Sequence, residues 1–252
     1  MTKKQLYSIA GFSYLLTVNN PKLQKCIKQG VFAAVLHLAP HKLSGRNVCP
    51  WATPGCIAAC LNFAGQGGIG TVTDGKGNLI VANNCQRARM KRTKFFFEKN
   101  ELFTQMLDRE IETHARRARK KGYRPAVRLN GTSDLWWGDV AKRHPEVQFY
   151  DYTKDPQRCM RVRREGITNY HVLYSRSETP GSHRHAVRHL ELGFDVAVVF
   201  EGPELPDTWH GFPVYNGDEH DVRFDSPGGM VCGLTPKGSL AKKDTTGFVV
   251  RG

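Results

Sequence analysis

The chain has 252 residues, of which 40% are hydrophobic and 24% charged, and its 37 Lys and Arg outnumber 23 Asp and Glu to leave a net charge of +14. That length and composition suit one large globular domain or two small ones and exclude a disordered, collagenous or low-complexity chain. No apolar stretch is long enough to span a bilayer and no secretory signal opens the sequence, so no membrane partner and a cytoplasmic protein are expected.

In chain order, residues 1–30 are mixed in character and are expected to pack as an N-terminal cap. Val31 to Leu38 (VFAAVLHL) is an apolar run of strand length. Directly after it comes a turn-rich loop carrying Cys49, Cys56 and Cys60, and residues 39–85 read as this cysteine loop followed by a hairpin insertion that ends at Cys85. Within it, residues 71–82 read as the hairpin, with Asp74 and Gly75 at its turn.

Seven cysteines in a chain expected to meet a reducing compartment point to metal binding rather than to disulfides. Four of them, Cys49, Cys56, Cys60 and Cys85, are candidate metal ligands, while Cys26, Cys159 and Cys232 read as ordinary thiols. Soft thiolates select zinc, copper(I) or iron–sulfur clusters. The spacing, six residues and then three, departs from the tight pairs of zinc fingers, so a [4Fe–4S] cluster is expected, with zinc as the alternative.

Residues 86–121 read as two basic helices. Phe103, Leu107, Ile111, Ala115 and Ala118 form an apolar stripe on the second, which Gly122 ends. Arg87, Arg89, Lys91, Arg92, Arg116, Arg117 and Arg119 are candidate contacts to a nucleic acid or nucleotide-like anion. The adjacent Trp136 and Trp137 read either as a base-stacking platform or as core residues.

From residue 125 onward, short apolar runs alternate with polar, helix-compatible stretches: PAVRL, VQFY, YHVLY, VAVVF, FPVY and MVCGL. The pattern predicts a single α/β domain over 1–252, a partial or complete parallel βα barrel of TIM type, with an open doubly wound sheet as runner-up. Polar clusters follow five of these runs, and in parallel α/β folds such loops share one face. Asp134, Asp151, Asp218 and His220 are therefore candidate catalytic groups. Asn130, Lys154, Ser175, Arg176 and Glu178 are candidate substrate- or cofactor-binding groups, and all nine are expected to converge with the cysteine loop.

The segments CPWATPGCIAACLNFAGQG, RLNGTSD, FYDYTK, YSRSE, GDEHDVRF and GLTPKGSLAKKDTTGFVV resemble the bacteriophage-associated gene product 88 family from about Leu36 to Val250. That resemblance implies the cytoplasm of an infected bacterial host and no particular activity. A strand, a three-cysteine loop and repeated βα units are also similar to the layout of radical SAM enzymes. That second resemblance implies three cysteines on a [4Fe–4S] cluster with one iron open to S-adenosylmethionine, unless Cys85 closes it. Two functions follow as expectations: an iron–sulfur enzyme acting on nucleic acid or nucleotides, or a non-catalytic nucleic-acid-binding protein with a structural cluster or zinc.

Overall fold

The computed structural model describes residues 2–73 and 79–251. Helix α1 (Lys3–Ala10) is closed at its start by a capping box, the Thr2 hydroxyl accepting the Gln5 N–H while the Gln5 side chain accepts the Thr2 N–H. Strand β1 (Leu16–Thr17) and helix α2 (Pro21–Cys26) follow, and β1 adds an antiparallel edge to strand β2 (Val31–Leu36). The cysteine loop contains a short helix α3 (Pro54–Ala58), and the hairpin pairs β3 (Val72–Thr73) with β4 (Leu79–Val81). Its expected Asp74-Gly75 turn lies outside the described residues.

Two helices follow, α4 (Asn84–Glu98) and α5 (Asn100–Lys120). Asn83 caps α4: its side-chain oxygen accepts the Gln86 N–H. The remaining units run β5 (Arg124–Arg128), α6 (Gly138–Arg143), β6 (Gln148–Thr153), α7 (Arg158–Arg164), β7 (Tyr170–Ser175), α8 (Pro180–Glu191) and β8 (Val196–Phe200). The chain ends with β9 (Thr208–Trp209), β10 (Phe212–Asn216), β11 (Val231–Leu234), α9 (Gly238–Lys242) and β12 (Val249–Val250).

Ten strands make one mostly parallel sheet in the order β1-β2-β5-β6-β7-β8-β11-β10-β9, with β12 also paired to β8. From β2 to β8 each parallel strand joins the last one's outer side. Alternation sets the faces: Val127, Phe149, Val172, Tyr174 and Val198 share one cluster with Phe103, Leu107 and Ile111 of α5, Val140 of α6, Val162 of α7 and Leu190 of α8. Helices α5 to α8 thus cover one face, where a doubly wound sheet would have them on both. The sheet does not close: β1 and β9 are antiparallel edge strands at opposite ends of the order, so the expected complete barrel is not formed. The other face carries Ala33, Val35, Ala126, Tyr150 and Leu173, covered in part by Leu23 and Cys26 of α2 and by Val222.

Trp136 and Trp137 belong to the core. Trp137 is buried against Phe96 and Phe103, and Trp136 is stacked under the Arg161 guanidinium at 3.7 Å, so neither stands free to stack a base. Among the described residues no helix is long and apolar enough to cross a membrane.

Candidate metal centre at the strand ends

The cysteine loop leaves the carboxyl end of β2 and is folded by short-range caps and long-range anchors. The Thr53 hydroxyl accepts the Cys56 N–H at 3.4 Å and Pro54 pre-sets the first turn of α3. From the end of β7, Glu178 reaches back: one carboxylate oxygen accepts the Thr53 hydroxyl at 2.7 Å, the other the Gly55 N–H at 2.8 Å. Only glycine fits at position 55, since a Cβ there would lie 2.4 Å from Thr246 Oγ1 and 2.7 Å from Glu178 Oε2. Asp134, after β5, donates its N–H to the Val48 carbonyl at 2.8 Å, one residue before Cys49.

These anchors bring Cys49, Cys56 and Cys60 together, each half-buried. Burial pushes the Cys49 and Cys60 thiols up to about 12, and their mutual proximity adds to it: charge on Cys56 and Cys60 opposes ionisation of Cys49, and charge on Cys56 opposes that of Cys60. Cys56 is raised by burial too, with Lys154 opposing. Each sulfur is met by a backbone hydrogen bond that favours its thiolate, from His41 to Cys49 at 3.3 Å, from Thr53 to Cys56 and from Asn62 to Cys60. Among the described residues, no three His, Cys, Asp or Glu side chains stand together as a ready shell for a single metal ion.

Cys85 lies in the first turn of α4. It acts on Arg89 and Arg92 but is not among the principal influences on the other three thiols. Both Cys60 and Cys85 act on the charge of Arg89. Its guanidinium donates to the Asn62 side-chain oxygen at 2.5 Å and to the Asn62 carbonyl at 3.3 Å, and its Nε is buried without a partner. Burial lowers its pKa, and the groups that oppose this are Cys85 and Cys60. Asn62 and Gln86, both fully buried, lock the cysteine loop to α4: the Asn62 amide donates to Gln86 at 2.8 Å, and the Gln86 amide donates to the Asn62 and Gly67 carbonyls at 2.9 and 2.8 Å.

Of the nine polar residues expected to converge, five adjoin the cysteine loop or its neighbours. Asp134 accepts the Thr153 hydroxyl, the Lys154 N–H and the buried Arg158 guanidinium. Lys154 donates from Nζ to Ser175 Oγ at 3.0 Å and its carbonyl at 3.2 Å, and its charge favours ionisation of Cys56 and Cys60. Glu178 holds α3, and Arg176 is pinned to the C-terminal segment through the Gly247 and Phe248 carbonyls.

The other four occupy different places. The Asn130 side-chain oxygen accepts from Ser133, Leu135 and Trp137 and so shapes its own loop. Asp151 points into the helix-covered face, where it accepts the Asn130 N–H at 2.6 Å and the Tyr170 hydroxyl at 2.9 Å, and burial raises its carboxyl to about 7. Asp218 accepts from Thr235 and Lys237, and His220 accepts the Val222 N–H at 3.3 Å. Burial and then the Arg223 charge lower the pKa of His220. Neither makes a described contact with the thiols.

The basic helices divide as well. Arg87, Lys91, Arg116, Arg117 and Arg119 are exposed. Arg89 and Arg92 are buried, at 9% and 6% exposure, with Arg92 donating to the Tyr14 carbonyl at 3.2 Å and stacking on its ring, so they are turned away from any surface partner. Asn62, Gln86, Thr53 and His37 were not singled out by sequence. Thr53 carries the one usable signal, a Thr-Pro pair of helix-start type.

A family model described as Gene product 88 matches residues 14–252. No curated protein and no solved structure matches the chain, and nothing among these comparisons supports a relation to radical SAM enzymes.

Proposed function

The chain belongs to the gene product 88 family of bacteriophage-associated proteins, and from the arrangement at its strand ends we propose that Cys49, Cys56 and Cys60 hold a [4Fe–4S] cluster whose fourth iron is not bound by Cys85. The observation that carries this reading is the pairing of charges. Arg89 and Lys154 flank the three thiols, and among the described residues neither forms an ion pair with a carboxylate. A buried cation is costly unless an anion accompanies it. Three thiolates on a cluster supply that anion, whereas three neutral thiols do not.

The backbone donors to sulfur support the same reading, since hydrogen bonds to cluster ligands tune such centres. A single zinc ion would draw its thiolates in to about 2.3 Å from one point. When bound, a cluster with an open iron supplies one-electron chemistry and a site for a small ligand, S-adenosylmethionine being one candidate. The protein's own part is positional: Glu178, Thr53 and Asp134 set the loop, and Lys154 with Arg89 supplies positive charge. The exposed residues Arg87, Lys91, Arg116, Arg117 and Arg119, with the overall charge of +14, favour a nucleic acid or nucleotide as the partner.

The test is anaerobic purification followed by iron, sulfide and zinc analysis. About four irons and four sulfides per chain are expected. Cys49→Ser, Cys56→Ser and Cys60→Ser should each lose the cluster while Cys85→Ser retains it. One stoichiometric zinc without sulfide would end the proposal. Loss of iron in Cys85→Ser would replace it with full cysteine ligation and a structural role. A change in the spectrum of the reduced cluster on adding S-adenosylmethionine would identify the open iron.

A further inference from the structure

On the sheet face away from α5 to α8, a second polar cluster lies outside the thiol site. Its centre is Asp221, fully buried after β10. One of its oxygens accepts the Tyr150 hydroxyl at 3.0 Å and an Arg128 N–H at 3.3 Å. The other faces Arg223 at 3.4 Å and Lys22 at 3.6 Å. Three cations thus share one carboxylate, none of them closer than 3.3 Å. The next acid, Asp218, lies 4.0 Å from Lys22 but is matched by Lys237 at 2.7 Å. Asp151 also acts on Arg128 from the other face of the sheet, but its own carboxyl is raised to about 7 by burial. Around Asp221 itself three bases meet one acid, an excess of two positive charges before the more distant Asp151 is counted, and burial lowers the pKa of Lys22.

Two of the cations are held by further contacts. Arg223 is fully buried and donates to the Tyr152 hydroxyl at 2.6 Å and to the Gly217 carbonyl at 2.5 Å. Arg128 stacks on the Tyr152 ring at 4.6 Å, and its Nε is buried with no partner. Lys22 and Arg128 keep 34% and 15% of their side chains open to solvent, so the cluster has an accessible side. The field is felt beyond it: His37 at the end of β2 is held neutral, down to about 3, by burial first and then by Arg89, Arg128 and Arg92.

We propose that Lys22, Arg128 and Arg223, gathered around the lone carboxylate of Asp221, form a binding site for a phosphate group. A dianionic phosphate balances the two excess charges, and its oxygens suit the guanidinium and ammonium donors on the open side. The bland alternative is a buried ion network that only fastens α2 and residues 221–223 to the sheet. That alternative leaves the surplus charge and the orphaned Arg128 Nε without a role. The site uses no thiol, so it stands independently of the proposed cluster.

The experiment is equilibrium binding of inorganic phosphate to the intact, anaerobically purified protein at constant ionic strength, with parallel titrations of a nucleoside 5′-monophosphate and a short single-stranded oligonucleotide. Saturable binding of one phosphate is expected. Lys22→Met, which changes a partly exposed side chain, should weaken it at least about tenfold, one charge-assisted contact in strength. Arg188→Met, exposed on α8 against the opposite face of the sheet, should leave it unchanged. Arg128→Lys, which keeps the charge but loses the planar fork, should fall between. Tighter binding of the monophosphate identifies the phosphate as part of a nucleotide, tighter binding of the oligonucleotide as part of a strand, and equal binding as a free oxyanion. Absence of saturable phosphate binding, or equal affinity in Lys22→Met and the unmodified protein, would overturn the proposal.

Discussion

Arg89 and Asn62 form a buried pair, the guanidinium donating to the side-chain oxygen at 2.5 Å while Asn62 itself is fully enclosed. The contact ties α4 to the turn after Cys60 and sets a positive charge against two thiols, Cys60 and Cys85. A neutral amide satisfies the hydrogen bond but not the charge.

Arg89→Met should therefore act in opposite directions on the two forms of the protein. With a thiolate centre in place, loss of the cation should destabilise the loaded protein by about 2–4 kcal/mol and lower its iron content. If the thiols are neutral, removing a buried unpaired charge should be neutral or stabilising. Thermal unfolding of Arg89→Met and the unmodified protein, before and after iron removal, distinguishes these outcomes.

Glu178→Ala should loosen the cysteine loop without touching a thiol. Two donors, the Thr53 hydroxyl and the Gly55 N–H, would lose their acceptor, at a cost of about 1–3 kcal/mol. The measurement is urea unfolding together with metal content. An unchanged midpoint and full metal content would show that the loop is held by other contacts.

Asp151 sets a pH dependence of unusual sign. Burial raises its carboxyl to about 7 in the folded protein, from 3.8 when free. Below about pH 4 the group is neutral in both states. Between about pH 4 and 7 the unfolded chain ionises it and the folded protein resists. Its contribution to stability should therefore fall as pH rises through this window, by at most about 1.4 kcal/mol per unit, and level off above. Asp151→Asn should flatten that slope, and equal slopes in both proteins would refute the assignment.

Binding to nucleic acid should depend on the exposed part of the basic helices alone. Lys91→Ala and Arg117→Ala should each reduce the slope of log affinity against log salt by about one. Filter binding across a salt series measures this. Slopes that do not move would assign the surface charge to another purpose.

Strands were the most legible part of this chain. VAVVF is β8 residue for residue, and each other apolar run marks a strand to within a few positions, because strands buried on both faces need continuous apolar sequence. Edge strand β1, two residues long, carries no such signal. The stripe on α5 was equally plain, since its apolar side faces the sheet. Basic residues on α4 misled for a physical reason: a run of Arg and Lys reads as surface, and only tertiary packing turns Arg89 and Arg92 inward against Asn62 and Tyr14. The polar clusters after the strands were visible, but not which member of each faced the thiols. Asp151 and Lys154 are three residues apart on one run, and strand alternation sends them to opposite faces.

The Gly55–Glu178 hydrogen bond has a consequence in time. It joins residues 123 positions apart, so the acceptor that fixes the cysteine loop is made long after the cysteines themselves. At roughly 5–20 residues per second, synthesis of that interval takes about 6–25 seconds. Until Glu178 is made, the loop that carries Cys49, Cys56 and Cys60 has no acceptor at Gly55. The centre proposed for these thiols would therefore find its loop anchored at Gly55 only after β7 has been made.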